Sequence, residues 1–217
     1  MHSPAATCLR RKSGMISLLL SPTQQASLFG DAEPAFGKIA GLHYVADFIP
    51  PSEEASLVAI IDRQPWLTGL KRRVQHYGWK YDYTARRVHE SMRLGTLPDW
   101  LATYCRKLHE GGYFSTLPDQ VIVNEYLPGQ GITPHVDCVP CFGDTIASIS
   151  LGSACIMEFS KGMEKIPVWL EPRSLVILTG DARYGWKHAI PQRKTDMHSG
   201  GRHTRNRRLS LTFRTVK

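Results

Sequence analysis

The chain has 217 residues, of which 42% are hydrophobic and 21% are charged, a composition that excludes wholesale disorder. Its net charge is +8, from 27 Lys and Arg against 19 Asp and Glu. The five cysteines are odd in number and irregularly spaced, which argues against a secreted disulfide framework and predicts a reducing, cytoplasmic location. The most apolar stretch, residues 15–20, is too short to cross a bilayer, so we expect no membrane partner.

The N-terminal part of the chain differs from the rest. Residues 1–38 are predicted to form a partly ordered arm, because they offer few groups that could pack. Residues 39–217 are predicted to form one domain, which opens with a short strand over 42–48. Two helices follow, the first with Ser52 as its N-cap and the second with Asp99 as its N-cap and a stop at Gly111 and Gly112.

After Pro118 the sequence is typical of β-structure. Short runs rich in Val, Ile and Leu are separated by Gly, Pro, Asp or Ser, which is the pattern of a sandwich or barrel. The predicted strands are residues 120–127, 145–151, 154–159, 168–170, 174–178, 187–190 and 208–216. The predicted fold class is therefore α+β, with the helices first and a β-sandwich after them.

The positive charge is concentrated in two segments. Residues 71–93 contain seven basic and two acidic residues, and residues 191–208 contain six basic residues and one acidic residue, so each segment carries a net +5. Two local basic segments favour a polyanionic partner such as nucleic acid. The alternative is that both are solvated loops of a moderately basic protein.

A candidate metal site lies in the β half. His135 and Asp137 are two residues apart, so on an extended segment their side chains reach the same side. His188 is the favoured third ligand because it lies on a short predicted strand, whereas His198 and His203 lie in a Gly-rich basic stretch expected to be flexible. Two imidazoles and one carboxylate are the donor set of non-haem Fe(II) oxygenases. The alternative is a chance H-x-D pair.

The last predicted strand carries a polar face. Along residues 208–214, Arg, Ser, Thr and Arg alternate with Leu, Leu and Phe, so one face is wholly polar. Such a face needs partners if it is buried, and two guanidinium groups suit a dicarboxylate. Asn124 and Tyr126 share one face of an earlier strand and could donate hydrogen bonds to the same ligand. The alternative is an exposed edge strand with solvated arginines.

Taken together, these motifs resemble the AlkB family of Fe(II)/2-oxoglutarate dioxygenases. The matching elements, in order, are N-x-Y-x-x-G from Asn124, H-x-D from His135, the distant His188, and R-x-S-x-T-x-R from Arg208. Ser210 stands where the family usually has Asn, and Ser can still donate a hydrogen bond. The resemblance covers roughly residues 40–217.

The resemblance implies a double-stranded β-helix, or jelly roll, over about residues 118–217, with N-terminal helices packed on one sheet. The implied Fe(II) ligands are His135, Asp137 and His188. The implied 2-oxoglutarate ligands are Asn124, Tyr126, Arg208, Ser210 and Arg214. Among these, Arg208 is expected at the distal carboxylate of 2-oxoglutarate and Arg214 nearer the metal.

The reaction implied by the resemblance is oxidative dealkylation of N-alkylated bases in DNA, with RNA as the alternative polymer. It would consume O₂ and 2-oxoglutarate and release an aldehyde, succinate and CO₂. Two alternatives stay open. One is a tRNA-modifying or protein-directed hydroxylase with the same chemistry, and the other is a non-catalytic β-sandwich that binds nucleic acid.

A nucleotide-recognition segment is expected at about residues 66–94. Within it, four aromatic residues alternate and would form one face on a strand, namely Tyr77, Trp79, Tyr81 and Tyr83. We predict that Tyr77 and Trp79 contact the substrate base, since aromatic rings stack on bases that have left the helical stack. Tyr81 and Tyr83 are expected mostly to form the outer wall of the core.

Three further sets of residues complete the predicted site. Arg183 and Trp186 precede His188 and are predicted either to line the substrate pocket or to pack beneath it. Cys138 and Cys141 follow Asp137 but have no second pair at zinc-ligand spacing, so they are predicted to be loop cysteines. The candidate contacts to a nucleic-acid backbone are Arg72, Arg73, Arg193, Lys194 and Arg202.

Overall fold

The computed structural model describes Met1 and residues 35–217. The predicted N-terminal arm of residues 1–38 therefore lies largely outside the described residues, and its last four residues, Ala35–Lys38, form a short 3₁₀ helix. Residues 35–217 make up one compact unit. Within this described part, none of the helices is long and apolar enough to cross a membrane.

The described residues contain three α-helices, namely α1 (Pro51–Asp62), α2 (Asp99–Glu110) and α3 (Gly180–Tyr184). The first two begin earlier than predicted, because Pro50 and Pro98 occupy the N-cap positions instead of Ser52 and Asp99. In α1 a proline also fills the first helical position, where its fixed φ suits the helix and its missing N–H is not needed. As predicted, α2 stops at Gly111.

Twelve strands are described. They are β1 (Leu42–Val45), β2 (Val74–Tyr77), β3 (Gln120–Tyr126), β4 (Ile132–His135), β5 (Ile146–Gly152), β6 (Cys155–Lys161), β7 (Glu164–Leu170), β8 (Leu175–Leu178), β9 (Lys187–Ile190), β10 (Thr195–His198), β11 (Gly201–Thr204) and β12 (Arg208–Arg214). The sequence missed β4, which contains Pro134 and a shift of register, and the hairpin of β10 and β11.

The strands form two facing sheets and one separate hairpin. The larger sheet has the order β1-β8-β5-β12-β3-β2, and the smaller has the order β4-β9-β6-β7. All the strand pairs of the two sheets are antiparallel. This arrangement is the jelly roll of a double-stranded β-helix, so the predicted fold class is confirmed. The larger sheet also takes β1 and β2 from before residue 118.

The alternation along β12 divides the protein into two cores. Leu209, Leu211 and Phe213 face a core that they share with apolar residues of α1 and α2. The opposite face of β12, which carries Arg208 and Arg214, points between the sheets. The predicted packing of the helices on one sheet is therefore confirmed, and it leaves the polar face of β12 inside the sandwich.

The stretch between β9 and β12 is ordered, which corrects the expectation of a flexible basic loop. The fully buried carboxylate of Asp196 accepts hydrogen bonds from Arg205 at 2.5 and 2.8 Å and from Arg193 at 2.6 Å. The ring of His198 stacks on Trp169, with centroids 4.5 Å apart and planes 6° apart. The hairpin is therefore fixed by a buried ion pair and a ring stack that no local sequence pattern indicates.

We expect Asp196→Ala to lower the free energy of unfolding by about 3–5 kcal/mol, because it leaves the buried guanidinium of Arg205 without its anion. Urea unfolding followed by circular dichroism measures the change. Asp144→Ala is the matched control, since it removes an exposed carboxylate paired with Lys217, and about 1 kcal/mol or less is expected. Equal small losses in the two variants would contradict the structural role given to Asp196.

Candidate metal and cosubstrate site

His135, Asp137 and His188 lie together at one end of the sandwich. Their ligand atoms are all within 4.8 Å of one another, and this is the one such group among the described residues. Strand pairing explains the approach, since His135 at the end of β4 lies directly opposite His188 on β9. Their ring centroids are 4.4 Å apart, and His135 Nε2 is 3.5 Å from Asp137 Oδ1.

Neighbouring groups orient the three side chains. His135 Nδ1 lies 2.8 Å from the carbonyl oxygen of Thr133, so this nitrogen carries the proton and Nε2 is left as a free electron-pair donor. Asp137 Oδ2 accepts a hydrogen bond from Arg214 Nε at 3.1 Å, which leaves Oδ1 towards the two imidazoles. The donor atoms therefore converge on one point.

Electrostatics keeps His188 neutral and Asp137 ionised. Burial lowers the pKa of His188 to about 4, helped by repulsion from His135, so the imidazole is neutral at pH 7. Burial alone would raise the pKa of the Asp137 carboxyl, but Arg214 and the histidines hold it well below its usual value. Asp137 is therefore a carboxylate although its side chain is almost fully enclosed.

A cavity of about 420 Å³ opens beside the three residues. One wall is the polar face of β12, where Ser210 lies opposite Asn124 of β3 and Arg208 lies opposite Tyr126. The hydroxyl of Ser210 is 2.8 Å from that of Ser148, on β5. The structure thus brings together every predicted 2-oxoglutarate residue, namely Asn124, Tyr126, Arg208, Ser210 and Arg214.

Arg208 is the polar residue of this wall with the least satisfied side chain. Only 3% of it is exposed, one of its terminal nitrogens donates to Ser150 Oγ at 2.8 Å, and its Nε has no partner among the described residues. A buried guanidinium with an orphan N–H is costly unless a ligand supplies acceptors. The cavity therefore fits an anion at Arg208.

Arg72 was predicted to contact a nucleic-acid backbone, but the structure places it on the cavity wall. Its Nε donates to Asn124 Oδ1 at 2.9 Å, and its guanidinium lies 5.7 Å from the ring centre of Tyr83. Because the amide oxygen of Asn124 is engaged by Arg72, the amide NH₂ of Asn124 is the group left to donate into the cavity.

The expected single aromatic face is wrong, and Gly78 is the reason. The strand stops there with φ at +74°, and a side chain at this position would meet the Asp119 carbonyl oxygen. Tyr77 pairs with Val121 and packs on Trp100, on the helix side of the sheet. Trp79 donates from Nε1 to Asp119 Oδ2 and is absent from the cavity wall.

Tyr81 and Tyr83 line the cavity instead of Tyr77 and Trp79. Their rings meet edge to face with centroids 5.1 Å apart, and Tyr81 also packs on Phe142, as an outer wall of the core would. Arg86, which follows these aromatic residues in the basic segment, lies at the same wall. The glycine at position 78 was the available signal that the aromatic alternation would break.

Arg183 and Trp186 lie beneath the site rather than on the cavity wall. The Arg183 side chain is 2% exposed and its nitrogens all point at backbone carbonyl oxygens. Trp186 is buried in the core between the sheets and donates from Nε1 to Asp181 at 2.9 Å. Of the two predicted positions for these residues, the structure shows the packed one.

The four other predicted backbone contacts fall into two groups. Arg73 forms two hydrogen bonds with Glu125, and Arg193 is held by Asp196, so both charges are already paired. Lys194 and Arg202 are exposed, and neither takes part in an ion pair with another described residue.

The described cysteines are in two different states. Cys138 and Cys141 are joined by a disulfide, while Cys105 and Cys155 are free and buried.

Several known proteins are similar to this chain in sequence or in fold. Residues 41–214 match the 2OG-Fe(II) oxygenase superfamily. An Arabidopsis thaliana protein named "Alkylated DNA repair protein ALKBH8 homolog" is 36% identical over 82% of this chain and 59% of its own length. A Xenopus tropicalis protein named "tRNA (carboxymethyluridine(34)-5-O)-methyltransferase alkbh8" is 37% identical over 82% of this chain.

The chain spans 59% of the Arabidopsis relative and 32% of the Xenopus relative. The solved structure of OsALKBH1 superposes with a TM-score of 0.63, covering 81% of this chain and 96% of that one, at 17% identity. That likeness concerns the fold alone. The chain belongs to the AlkB family of the 2OG-Fe(II) oxygenase superfamily, so the predicted resemblance is confirmed.

Family membership implies Fe(II) and 2-oxoglutarate as cofactors, and the residues present fit both. Two imidazole nitrogens and a carboxylate oxygen are the donor set for Fe(II) with open coordination positions. The orphan Nε of Arg208, beside hydroxyl and amide groups, fits the carboxylate of 2-oxoglutarate. The same features favour an enzyme over the non-catalytic alternative.

A pH effect on stability follows from the buried histidines. Burial, aided by nearby Arg and Lys residues, lowers the pKa of His76 to about 4, as it does for His188. In the unfolded chain both take up protons near pH 6.5. The metal-free protein is therefore expected to lose stability as the pH falls from about 6.5 towards 4, since the unfolded state binds more protons there.

The variant His76→Gln removes one of these titrations. Urea unfolding at pH 7.0, 5.5 and 4.5 is expected to show a loss of stability that is smaller than in the wild type by roughly 1–3 kcal/mol. Parallel pH profiles for the two proteins would show that His76 is not held neutral in the fold.

Proposed function

We propose that this protein is an Fe(II)/2-oxoglutarate-dependent hydroxylase that oxidises a substituent on a nucleic-acid base, with RNA as the preferred polymer. Bound Fe(II), with 2-oxoglutarate and O₂, supplies oxidative decarboxylation to succinate and CO₂ and the oxidising power for one C–H bond. The observation that carries the proposal is the convergence of His135, Asp137 and His188 beside the orphan guanidinium of Arg208.

The protein's own residues hold and orient the reacting groups. His135 Nε2, Asp137 Oδ1 and a ring nitrogen of His188 would bind Fe(II). Arg214 fixes the carboxylate of Asp137 and stays close to the metal position. His135 and Asp137 are each held by a hydrogen bond to a neighbouring group, and His188 is already neutral. Little rearrangement of the three side chains is therefore needed when Fe(II) binds.

The cosubstrate would lie along the polar face of β12. Arg208 would bind the distal carboxylate through its free N–H groups, with Tyr126 lying against its guanidinium at 5.5 Å from the ring centre. Asn124 would donate its NH₂, since Arg72 occupies its oxygen. Ser210 stands where the family usually has Asn, and its hydrogen bond with Ser148 holds the Ser210 hydroxyl at the cavity wall.

The charge around the cavity bears on which base is accepted. Among the described residues, the lining contains four arginines, Arg72, Arg86, Arg208 and Arg214, and one carboxylate, Asp137. These five groups together give the wall a charge of +3. Fe(II) and 2-oxoglutarate have equal and opposite charges, so the loaded site would keep this surplus. A neutral or anionic substituent is favoured there over a base made cationic by alkylation.

Aromatic rings at the cavity wall and two exposed cations in residues 191–204 suit a single-stranded polyanion. Tyr81 and Tyr83 offer aromatic edges at the wall against which an extruded base could pack, with stacking worth about 1–3 kcal/mol per base. Lys194 and Arg202 are exposed and free of ion pairs among the described residues. The name of the Xenopus relative, which refers to tRNA, supports RNA as the polymer.

A second candidate function is dealkylation, which uses the same hydroxylation chemistry but gives a different product. Hydroxylation of an N-alkyl group would release an aldehyde and restore the base in DNA or RNA. The name of the Arabidopsis relative, which refers to alkylated DNA repair, supports this alternative. The surplus of +3 at the cavity wall counts against it, because many N-alkylated bases are cations.

The two candidates are separated by a substrate panel. Synthetic RNA with an uncharged substituted uridine and DNA or RNA with cationic 1-methyladenine are incubated with Fe(II), 2-oxoglutarate and ascorbate. Succinate formation and oligonucleotide mass are then measured. We expect an added oxygen on the uridine substituent and slow turnover of the methylated adenine. Turnover of the cationic base alone would contradict the primary proposal.

The variant Arg86→Gln tests the charge argument within this panel. It removes one positive charge from the wall, at a residue outside the predicted ligands of Fe(II) and 2-oxoglutarate. The rate on the cationic base relative to the neutral base is expected to rise roughly 3- to 10-fold, since repulsion across the cavity is reduced. An unchanged ratio would mean that the wall charge does not select the base.

A binding prediction concerns the two free cations. Lys194→Gln and Arg202→Gln are each expected to weaken binding of single-stranded RNA, whatever its sequence. The slope of log K against log salt should fall by about 0.7 for each phosphate that the variant no longer neutralises. Fluorescence anisotropy at several salt concentrations measures both quantities.

Arg106→Gln is the matched control for that measurement. It removes an equal exposed charge from α2, in the helix layer on the other side of the larger sheet. We expect the salt slope of this variant to match that of the wild type. If all three variants lower the slope equally, the protein attracts RNA through its net charge and not along a defined path.

A further inference from the structure

Arg183 is buried in an unusual environment for a charged side chain. It lies on α3, its side chain is 2% exposed, and it forms no ion pair with another described residue. Its guanidinium lies 4.8 Å from the ring centre of Tyr184, the next residue on the same helix. A buried guanidinium without a carboxylate is costly, so its N–H groups must be satisfied in another way.

The partners of Arg183 are four carbonyl oxygens of one loop. It donates to the carbonyl of Asp137 at 2.9 Å and to that of Gly143 at 3.3 Å. Longer contacts reach the carbonyls of Cys138 at 3.4 Å and Phe142 at 3.5 Å. This loop lies between β4 and β5. The Cys138 carbonyl also accepts from the backbone N–H groups of Cys141 and Phe142. For the carbonyls of Asp137, Phe142 and Gly143, Arg183 is the one donor among the described residues.

Arg183 and the loop that it binds are each adjacent in the chain to a different proposed metal ligand. The loop begins at Asp137, and α3 leads directly into β9, which carries His188. The helix α3 is itself anchored, since the Ala182 N–H donates to the Ala40 carbonyl at 2.9 Å. One planar guanidinium therefore ties the backbone of the carboxylate ligand to the segment that supplies the second imidazole.

We propose that Arg183 is a positioning residue for the metal centre, which sets the distance between Asp137 and His188 through the loop carbonyls. This inference rests on the proposed role of the three residues in holding Fe(II). A lysine keeps the charge but has no planar fork, so it cannot reach both ends of the loop at once. The loop would then shift, and the metal donors would converge less well.

The test measures metal binding rather than turnover. Mn(II) affinity of the wild type, Arg183→Lys and Arg183→Gln is determined by electron paramagnetic resonance, and urea unfolding of the metal-free proteins is followed in parallel. We expect a roughly 10- to 100-fold weaker Kd for Mn(II) in folded Arg183→Lys, the range typical of altered groups that orient metal ligands. The line shape of bound Mn(II) is also expected to change.

Arg205→Lys is the matched control. Arg205 is also a buried arginine, but it binds Asp196 and the Pro191 carbonyl instead of the loop of residues 137–143. Its replacement is expected to lower stability while the Kd for Mn(II) stays within about twofold of the wild type.

Each other result overturns the inference. Wild-type affinity in folded Arg183→Lys or Arg183→Gln would show that the loop holds its place without the fork. Equal weakening in Arg205→Lys would point to a general loss of packing, and failure of both Arg183 variants to fold beside a folded Arg205→Lys would make Arg183 a folding residue. Absence of Mn(II) binding by the wild type would instead overturn the proposed function itself.

Discussion

The buried polar face of β12 determines how the helix layer, the cavity and the triad are arranged. Arg208 and Arg214 lie inside the sandwich, and of these two only Arg214 has a carboxylate partner among the described residues, Asp137. Burial of this kind would destabilise a simple β-sandwich. The helix layer makes it possible, because it covers the apolar face of the same strand and leaves the polar face to the cavity. The fold thus places a buried basic wall beside His135, Asp137 and His188, so one strand contributes both to the core and to the candidate site.

Cationic side chains serve three different purposes around this strand. Arg183 donates to backbone carbonyls of the Asp137 loop, and Arg205 fixes a hairpin through the buried carboxylate of Asp196. Arg72 and Arg86 stay at the cavity wall, where they add to the charge that an incoming substrate meets. The net charge of +8 is therefore not spread evenly over the surface, because several of the basic side chains are buried or already paired.

The sequence predicted the strand alternation of β12 and the H-x-D pair because both depend on local geometry. It failed where a distant partner decides the structure. The hairpin around Asp196 looked flexible because its ion pair joins residues whose burial no local pattern reveals. The prediction of one aromatic face was wrong because the left-handed backbone of Gly78 ends the strand, and Tyr77 lies on the helix side of the sheet. The role of Arg183 depends on a loop that begins 46 positions earlier, so no local pattern around Arg183 indicates this contact.

We propose that the wall of β12 and the triad together bind 2-oxoglutarate and a metal. A crystal structure of the protein, grown without oxygen in the presence of Mn(II) and 2-oxoglutarate, tests this proposal. We expect Mn(II) bound by His135, Asp137 and His188, and the distal carboxylate of 2-oxoglutarate within hydrogen-bond distance of Arg208. A metal bound elsewhere, or a 2-oxoglutarate that leaves the Arg208 guanidinium without an acceptor, would contradict it.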